Sequence, residues 1–196
     1  MTKHRLVIQV DDTLFDTCTA LLPPLNYLTG RNFRKENLYW QDLSTVYDLP
    51  YDVIHATWLA NKSLEQVKPF DWAKWLVPFI SKWVVQSNCE VVFYTERFWH
   101  PNRSAVTDAQ IDLMGSLVPV ITVHGSNAYD TGDVLREAGR WPTIYIDSNY
   151  NRVLSMTNTN VYSILFSQRW NHGRFWPSRA IDSHDIIKAV ESQLKL

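Results

Sequence analysis

Cysteine and glycine are scarce in this 196-residue chain, and charge of neither sign dominates it. The two cysteines, Cys18 and Cys89, form neither a disulfide framework nor a zinc pattern. They read as buried or partly buried thiols in a reducing compartment. Six glycines include no G-x-x-x-x-G-K, so a P-loop is excluded. Nineteen basic residues against twenty acidic ones give a formal charge of −1. That balance removes the broad electrostatic case for duplex nucleic acid or an anionic membrane. Six histidines (His4, His55, His100, His124, His172, His184) have no metal-ligand spacing. His100 and His172 read as solvated loop histidines. The longest late apolar run, WLVPFISKWVV, holds Pro78 and Lys82 and is too short to span a bilayer. The basic start at Lys3–Arg5 leads into an apolar stretch that ends at Asp11 and Asp12, which is too short for an export signal. The expectation is a cytoplasmic protein with no membrane partner.

What is present is a sizeable hydrophobic fraction, 45% of residues. It is arranged as short β-branched and aromatic runs at 6–10, 90–95, 118–123, 143–147 and 161–166. Weak alternation in such runs marks strands buried on both faces of a parallel sheet. Helical patterns separate them at 104–114, 130–138 (ending at Gly139), 149–157 and 182–196. The expected fold is α/β, a Rossmann-like parallel sheet flanked by helices. Between the first and second strands lie almost eighty residues, with helical patterns at 17–28, 51–60 and 71–85. That length is too great for a plain loop. It reads as a helical cap over residues 17–87, inserted into a core of residues 1–16 and 88–196. Most of the nine tryptophans, five of them in this insert (Trp40, Trp58, Trp72, Trp75, Trp83), read as core.

Ligands of open parallel sheets bind outside the carboxyl ends of the strands. Four polar groups fall there: Asp11-Asp12-Thr13, Thr95-Glu96-Arg97, Asp147-Ser148-Asn149 and Gln168-Arg169-Trp170-Asn171. The first could simply cap a turn, but its convergence with the others favours a site. The stretch QVDDTLFDT resembles the first motif of haloacid dehalogenase-like hydrolases, Asp-x-Asp-(Gly/Asp)-Thr-Leu. The strand VVFYT ending at Thr95 resembles their second motif, whose hydroxyl holds a phosphate oxygen. TIYIDSN resembles the fourth, whose acids bind magnesium. The third motif normally supplies a lysine; DTGDVLREAG has none, and Thr131 is its counterpart. SQRWNHG resembles a Pro-Trp-Asn segment of 5'(3')-deoxyribonucleotidase-like members, with Arg169 where proline is usual.

The resemblance implies roles by position. Asp11 takes the acid/base place and Asp147 a magnesium ligand's place. Asp12, Thr13, Thr95, Glu96, Arg97, Thr131, Trp170 and Asn171 are candidates for holding a phosphorylated ligand. The nucleophile's place is taken by Gln9, and the second metal acid's by Ser148. A carboxylate can become an acyl phosphate; an uncharged amide with delocalised lone pairs cannot. Magnesium wants hard oxygens, usually carboxylates, so Mg2+ binding is expected to be weak or absent. The losses are coherent, since two acids and a lysine leave together and the pocket stays near neutral. The expectation is a pseudoenzyme that binds a nucleotide or another small phosphorylated molecule.

Two alternatives stand beside it. One is a phosphohydrolase with a displaced mechanism, using Asp11 or Asp12 as base with Asp147 on a metal. The other is an interaction module, for a protein partner or a homo-oligomer, built on an exposed patch of Trp99, Trp170, Phe175 and Trp176. Gln9 is expected to bridge strand ends, with Thr95 as its partner. Arg97 either binds phosphate or pairs with Glu96 or another surface acid. Cys18 reads as helix packing rather than a nucleophile.

Overall fold

The apolar runs become strands where their composition places them. A computed structural model describes residues 3–39, 42–115, 121–124, 141–156 and 160–195. Within them β1 is His4–Gln9, β2 Cys89–Thr95, β3 Ile121–His124, β4 Thr143–Asp147 and β5 Val161–Phe166. A two-residue strand, β6 (Arg179–Ala180), extends the sheet and has no sequence signal of its own. All neighbours pair in parallel, in the order β3-β2-β1-β4-β5-β6. The expected helix over 130–138, residues 118–120 of the expected third strand, Trp40 and Thr131 lie outside the described residues.

Alternation by two sends Leu6, Ile8, Phe93 and Ile146 to one face of the sheet. Val7, Val92, Tyr94 and Tyr145 go to the other. Both faces are covered, which is why these strands read as continuous apolar runs. On the first face lie α4 (Val77–Gln86), α5 (Arg103–Leu113) and α7 (Ser183–Leu194), through residues such as Trp83, Ile111 and Val190. On the second lies α6 (Tyr150–Ser155), through Val153. The start of α7 is fixed by Asp182, whose carboxylate accepts the Asp185 N–H at 3.1 Å. Asp182→Ala is expected to lower unfolding free energy by about 1 kcal/mol, measured by urea denaturation.

The long connection after β1 contains α1 (Thr17–Thr29), α2 (Leu43–Tyr47) and α3 (Tyr51–Ala60) before α4. It divides between two apolar cores. Cys18, Leu22, Leu25, Tyr47, Ile54 and Trp58 pack on one another. Leu64, Val67, Leu76, Ile80 and Trp83 join the core of the sheet. Gly30 ends α1 in the left-handed conformation (φ 67°), donating its N–H to Asn26. The expected helix over 71–85 is a 3-10 turn, Asp71–Leu76, running into α4.

The strand order reverses at β1. The chain runs outward through β2 and β3, then returns to place β4 on the other side of β1. Parallel sheets open a crevice at such a point. The residues delivered to it are Gln9 and Asp11 from β1, and Asp147 and Ser148 from β4.

Candidate functional site

The loop leaving β1 turns on one carbonyl. Val10 C=O accepts the N–H groups of Leu14 at 2.9 Å and Phe15 at 3.1 Å, while the Asp12 N–H returns to Phe15 C=O at 2.8 Å. This forces Asp12 into the left-handed region, φ 56°. Aspartate tolerates that region better than most residues do, which accounts for the Gly/Asp choice at this place in the motif. Lys68 and Leu14 backbone groups staple the loop to the segment before α4, through Asp16 N–H and Phe70 N–H, both at 2.9 Å.

Asp11 is saturated by donors. Thr17 Oγ1 donates to its Oδ1 and Thr95 Oγ1 to its Oδ2, each at 2.7 Å. Arg97 donates from Nη2 at 2.6 Å and from Nε at 2.9 Å. Burial pushes this carboxyl's pKa up, but the Arg97 charge and the three hydrogen-bonding side chains outweigh it and hold the pKa below the usual range. Arg97 is itself only 2% exposed. Its remaining Nη1 donates to Thr107 Oγ1 at 3.0 Å and Gln110 Oε1 at 2.5 Å, both on α5. Gln110 passes the connection on, donating to Leu64 C=O at 2.6 Å. Arg97 therefore pairs with Asp11, not with Glu96 or a surface acid, and its guanidinium is used up within the protein.

Gln9 is 2% exposed, and its Oε1 has no hydrogen-bond partner among the described residues. The expected bridge to Thr95 is not formed, because the Thr95 hydroxyl is drawn to the stronger, ionised acceptor at Asp11. Thr13 Oγ1 and Ser148 Oγ are likewise buried without a partner among the described residues.

A second ionic cluster closes the end of β4. Asp147 Oδ1 accepts from Asn149 N–H at 2.8 Å and Arg152 Nη2 at 3.1 Å. Its Oδ2 accepts from the Tyr145 hydroxyl and lies 2.6 Å from Arg152 Nε, an ion-pair contact without hydrogen-bond alignment. The Arg152 Nη1 binds Glu96. Burial raises the Glu96 pKa, against the pull of Arg152. Burial, then the Asp147 charge, raise that of Tyr145. Glu96, expected to touch a ligand, is thus paired internally.

Asp12 differs from its neighbour. It accepts the Cys18 N–H at 2.8 Å and stands 3.8 Å from Lys35 Nζ. Burial lifts its carboxyl to about 7, with Lys35 and the Cys18 N–H only partly opposing. Lys35 carries no local sequence signal; it sits in a 3-10 turn (Lys35–Asn37) and also pairs with Asp16 at 2.8 Å. Beside it opens a shallow groove of about 650 Å³, lined by Lys35, Glu36, Ser167, Gln168, Arg169, His172 and Ile181. Gln168 ties the groove to the first motif, its Nε2 donating to Asp12 C=O at 2.6 Å.

Asn171 is buried and braces the loop that carries it. It donates to Ser148 C=O at 2.7 Å and Phe166 C=O at 2.9 Å, and accepts from Gln168 N–H and Arg179. Trp170 is half-buried against the core of the insert, with its Nε1 directed to Ser148 C=O at 3.3 Å. The expected aromatic patch is not a patch. Trp99 stacks on His55, and Trp176 packs against Tyr150 and donates to Ser163 C=O; Phe175 alone of the four is exposed. His100 is buried rather than solvated, accepting the Asn102 N–H at Nδ1 and facing Glu65 from Nε2. Cys18 is buried in α1 and its thiol is pushed up by burial, then by Asp12, which leaves no nucleophile there.

The donor set does not fit magnesium. Both oxygens of Asp147 are occupied, positions 9 and 148 supply neutral groups, and the Asp11 carboxylate is held by Arg97. Among the described residues no three His, Cys, Asp or Glu side chains are grouped to hold a metal ion. No described helix is long and apolar enough to cross a membrane.

The sheet order and the helices on both of its faces make a Rossmann-like α/β fold, and it is similar to that of haloacid dehalogenase-like hydrolases. A haloacid dehalogenase-like hydrolase from Burkholderia xenovorans matches with a TM-score of 0.59 over 100% of both chains, at 11% identity. A HAD-superfamily hydrolase of subfamily IA from Geobacter sulfurreducens matches with a TM-score of 0.57 at 13% identity, over 95% of both chains. A haloacid dehalogenase-like family hydrolase from Xanthomonas campestris gives 0.57 at 14% identity, over 99% of this chain and 98% of that one. No family model and no curated protein matches the sequence.

Proposed function

We propose that this is a nucleotidase-like member of the haloacid dehalogenase fold that binds a small phosphorylated molecule, such as a nucleotide, without forming an aspartyl-phosphate. The observation that carries the reading is the pair at the end of β1. Gln9 stands in the nucleophile's place, and Asp11, in the acid/base place, has both oxygens committed to Arg97, Thr95 and Thr17. A proton donor needs a pKa near the working pH, and Asp11 is driven the other way. The groove supports the binding half of the reading. Lys35 on the insert side, shared with Asp16, and Arg169 on the sheet side set two cations on its lining, against the single acid Glu36, with the Tyr39 ring beside Arg169. The insert, residues 17–87, then acts as the cap that brings Lys35 over the strand ends.

The test is calorimetry with a set of nucleoside monophosphates, alongside phosphate release with and without magnesium. Binding is expected without turnover, weakened at least about tenfold by Lys35→Met or Arg169→Ala, which matches a charge-assisted contact of about 1.5 kcal/mol or more. Magnesium-dependent release of phosphate by the wild type would overturn the reading. A second reading rests on Asp12, whose carboxyl titrates at about 7. It is hydrolysis by a water molecule with Asp12 as base and no covalent intermediate. That reading expects metal-independent release abolished by Asp12→Asn.

A further inference from the structure

The fold's hydrolases gather acids around a divalent cation at the crevice. In this chain the acids at the ends of β2 and β4 are instead gathered around a side chain. We propose that Arg152 is a resident cation standing in for the metal: its guanidinium pairs with both Asp147 and Glu96 and keeps the end of β4 assembled with no ion bound. The inference rests on the assignment of Asp147 to the metal ligand's place. It is independent of whether phosphate is released.

The geometry suits a guanidinium. A planar fork can serve two carboxylates along two edges at once. Arg152 sets Nε and Nη2 against Asp147 and Nη1 against Glu96. Among the described residues the acids' other contacts are neutral donors: the Tyr145 hydroxyl and Asn149 N–H on Asp147, and the Tyr94 hydroxyl at 3.3 Å on Glu96. The backbone aims the arginine. Asn149 caps α6, its Oδ1 accepting Asn151 N–H at 3.0 Å and Arg152 N–H at 3.3 Å, while its own N–H holds Asp147. The cap that starts the helix therefore fixes the distance from Asp147 to the residue five positions on. Arg152 is 8% exposed. Burial works against its charge, and Asp147, Tyr145 and Glu96 outweigh that and keep it ionised. A divalent ion at this place would meet a fixed positive charge and two acids already paired with it.

Thermal unfolding and calorimetric titration with magnesium and manganese test the assignment. Wild type is expected to show no metal heat and no rise in Tm at about 10 mM metal. Arg152→Ala leaves the buried Asp147 and the partly buried Glu96 without a cation, and its Tm is expected to fall by about 10 °C. The same magnesium or manganese concentration should then recover part of that fall, roughly half. Arg152→Lys keeps the charge, and is expected to fold with a smaller loss and no metal response. Adding Asp147→Asn to Arg152→Ala should abolish the rescue. A wild-type dissociation constant for magnesium below about 1 mM would overturn the proposal even if Arg152→Ala does not fold. A folded Arg152→Ala that metal does not stabilise would overturn it too, reducing Arg152 to a structural ion pair. Neither result is phosphate release, the outcome that would overturn the proposed function.

Discussion

Arg97→Met is expected to lower the unfolding free energy by about 3–5 kcal/mol at neutral pH, because it strands a carboxylate that is largely shielded from water. The substitution keeps the length and apolar stem of the side chain, so the loss reports the missing guanidinium. Asp11 would keep only the hydroxyls of Thr17 and Thr95, and Thr107 and Gln110 would each lose a donor. Adding Asp11→Asn should recover much of the loss, and the double-mutant cycle isolates the coupling. The pH dependence has a definite sign. Asp11 titrates below its ordinary 3.8 when folded, so the folded protein binds fewer protons there than the unfolded chain. The pair's contribution is whole above 3.8 and is lost as pH falls through the folded value. The gap between wild type and Arg97→Met, read from urea denaturation across pH, should close in that acid window.

Asp12→Asn is expected to act in the opposite direction and stabilise the protein at pH 8, by up to about 4 kcal/mol. The folded carboxyl titrates at about 7 against an ordinary 3.8. Between those values the folded state binds more protons than the unfolded one, so wild-type stability declines as pH rises from 3.8 to 7. Asparagine keeps an oxygen for the Cys18 N–H and has no charge to bury. The two proteins should converge in stability near pH 4 and separate towards pH 8. If the variant were no more stable at pH 8, the buried charge at Asp12 would not carry the cost assigned to it.

The two aspartates are adjacent in sequence and identical in type, and nothing local in the sequence distinguishes their titration. Their difference lies in partners that the chain brings from afar: Arg97 across 86 residues to Asp11, and Lys35 from the insert to Asp12. By contrast β4 and β5 are legible to the residue, because their apolar runs are bounded by polar ones and buried on both faces. β6 is not, since two residues held at a sheet edge by backbone bonds need no particular side chains. The convergence of Asp11, Thr95 and Asp147 follows from the strand order. What they bind does not follow, and the expected ligand contacts of Arg97, Glu96 and Asn171 are spent inside the protein. Arg152 had a usable signal: a basic residue three positions beyond the helix-capping Asn149, itself two beyond Asp147. Lys35 had none.

The two apolar cores have a consequence for how this chain can vary. Leu22, Leu25, Ile54 and Trp58 pack among themselves, while Leu64 onwards packs with the strands. Substitutions in the first group act on the packing of the insert itself. The strand ends are pinned by Arg97 and Arg152, and removing either leaves a carboxylate without its cation. The insert's apolar core can therefore be repacked without touching an ion pair, whereas a change at the strand ends breaks one.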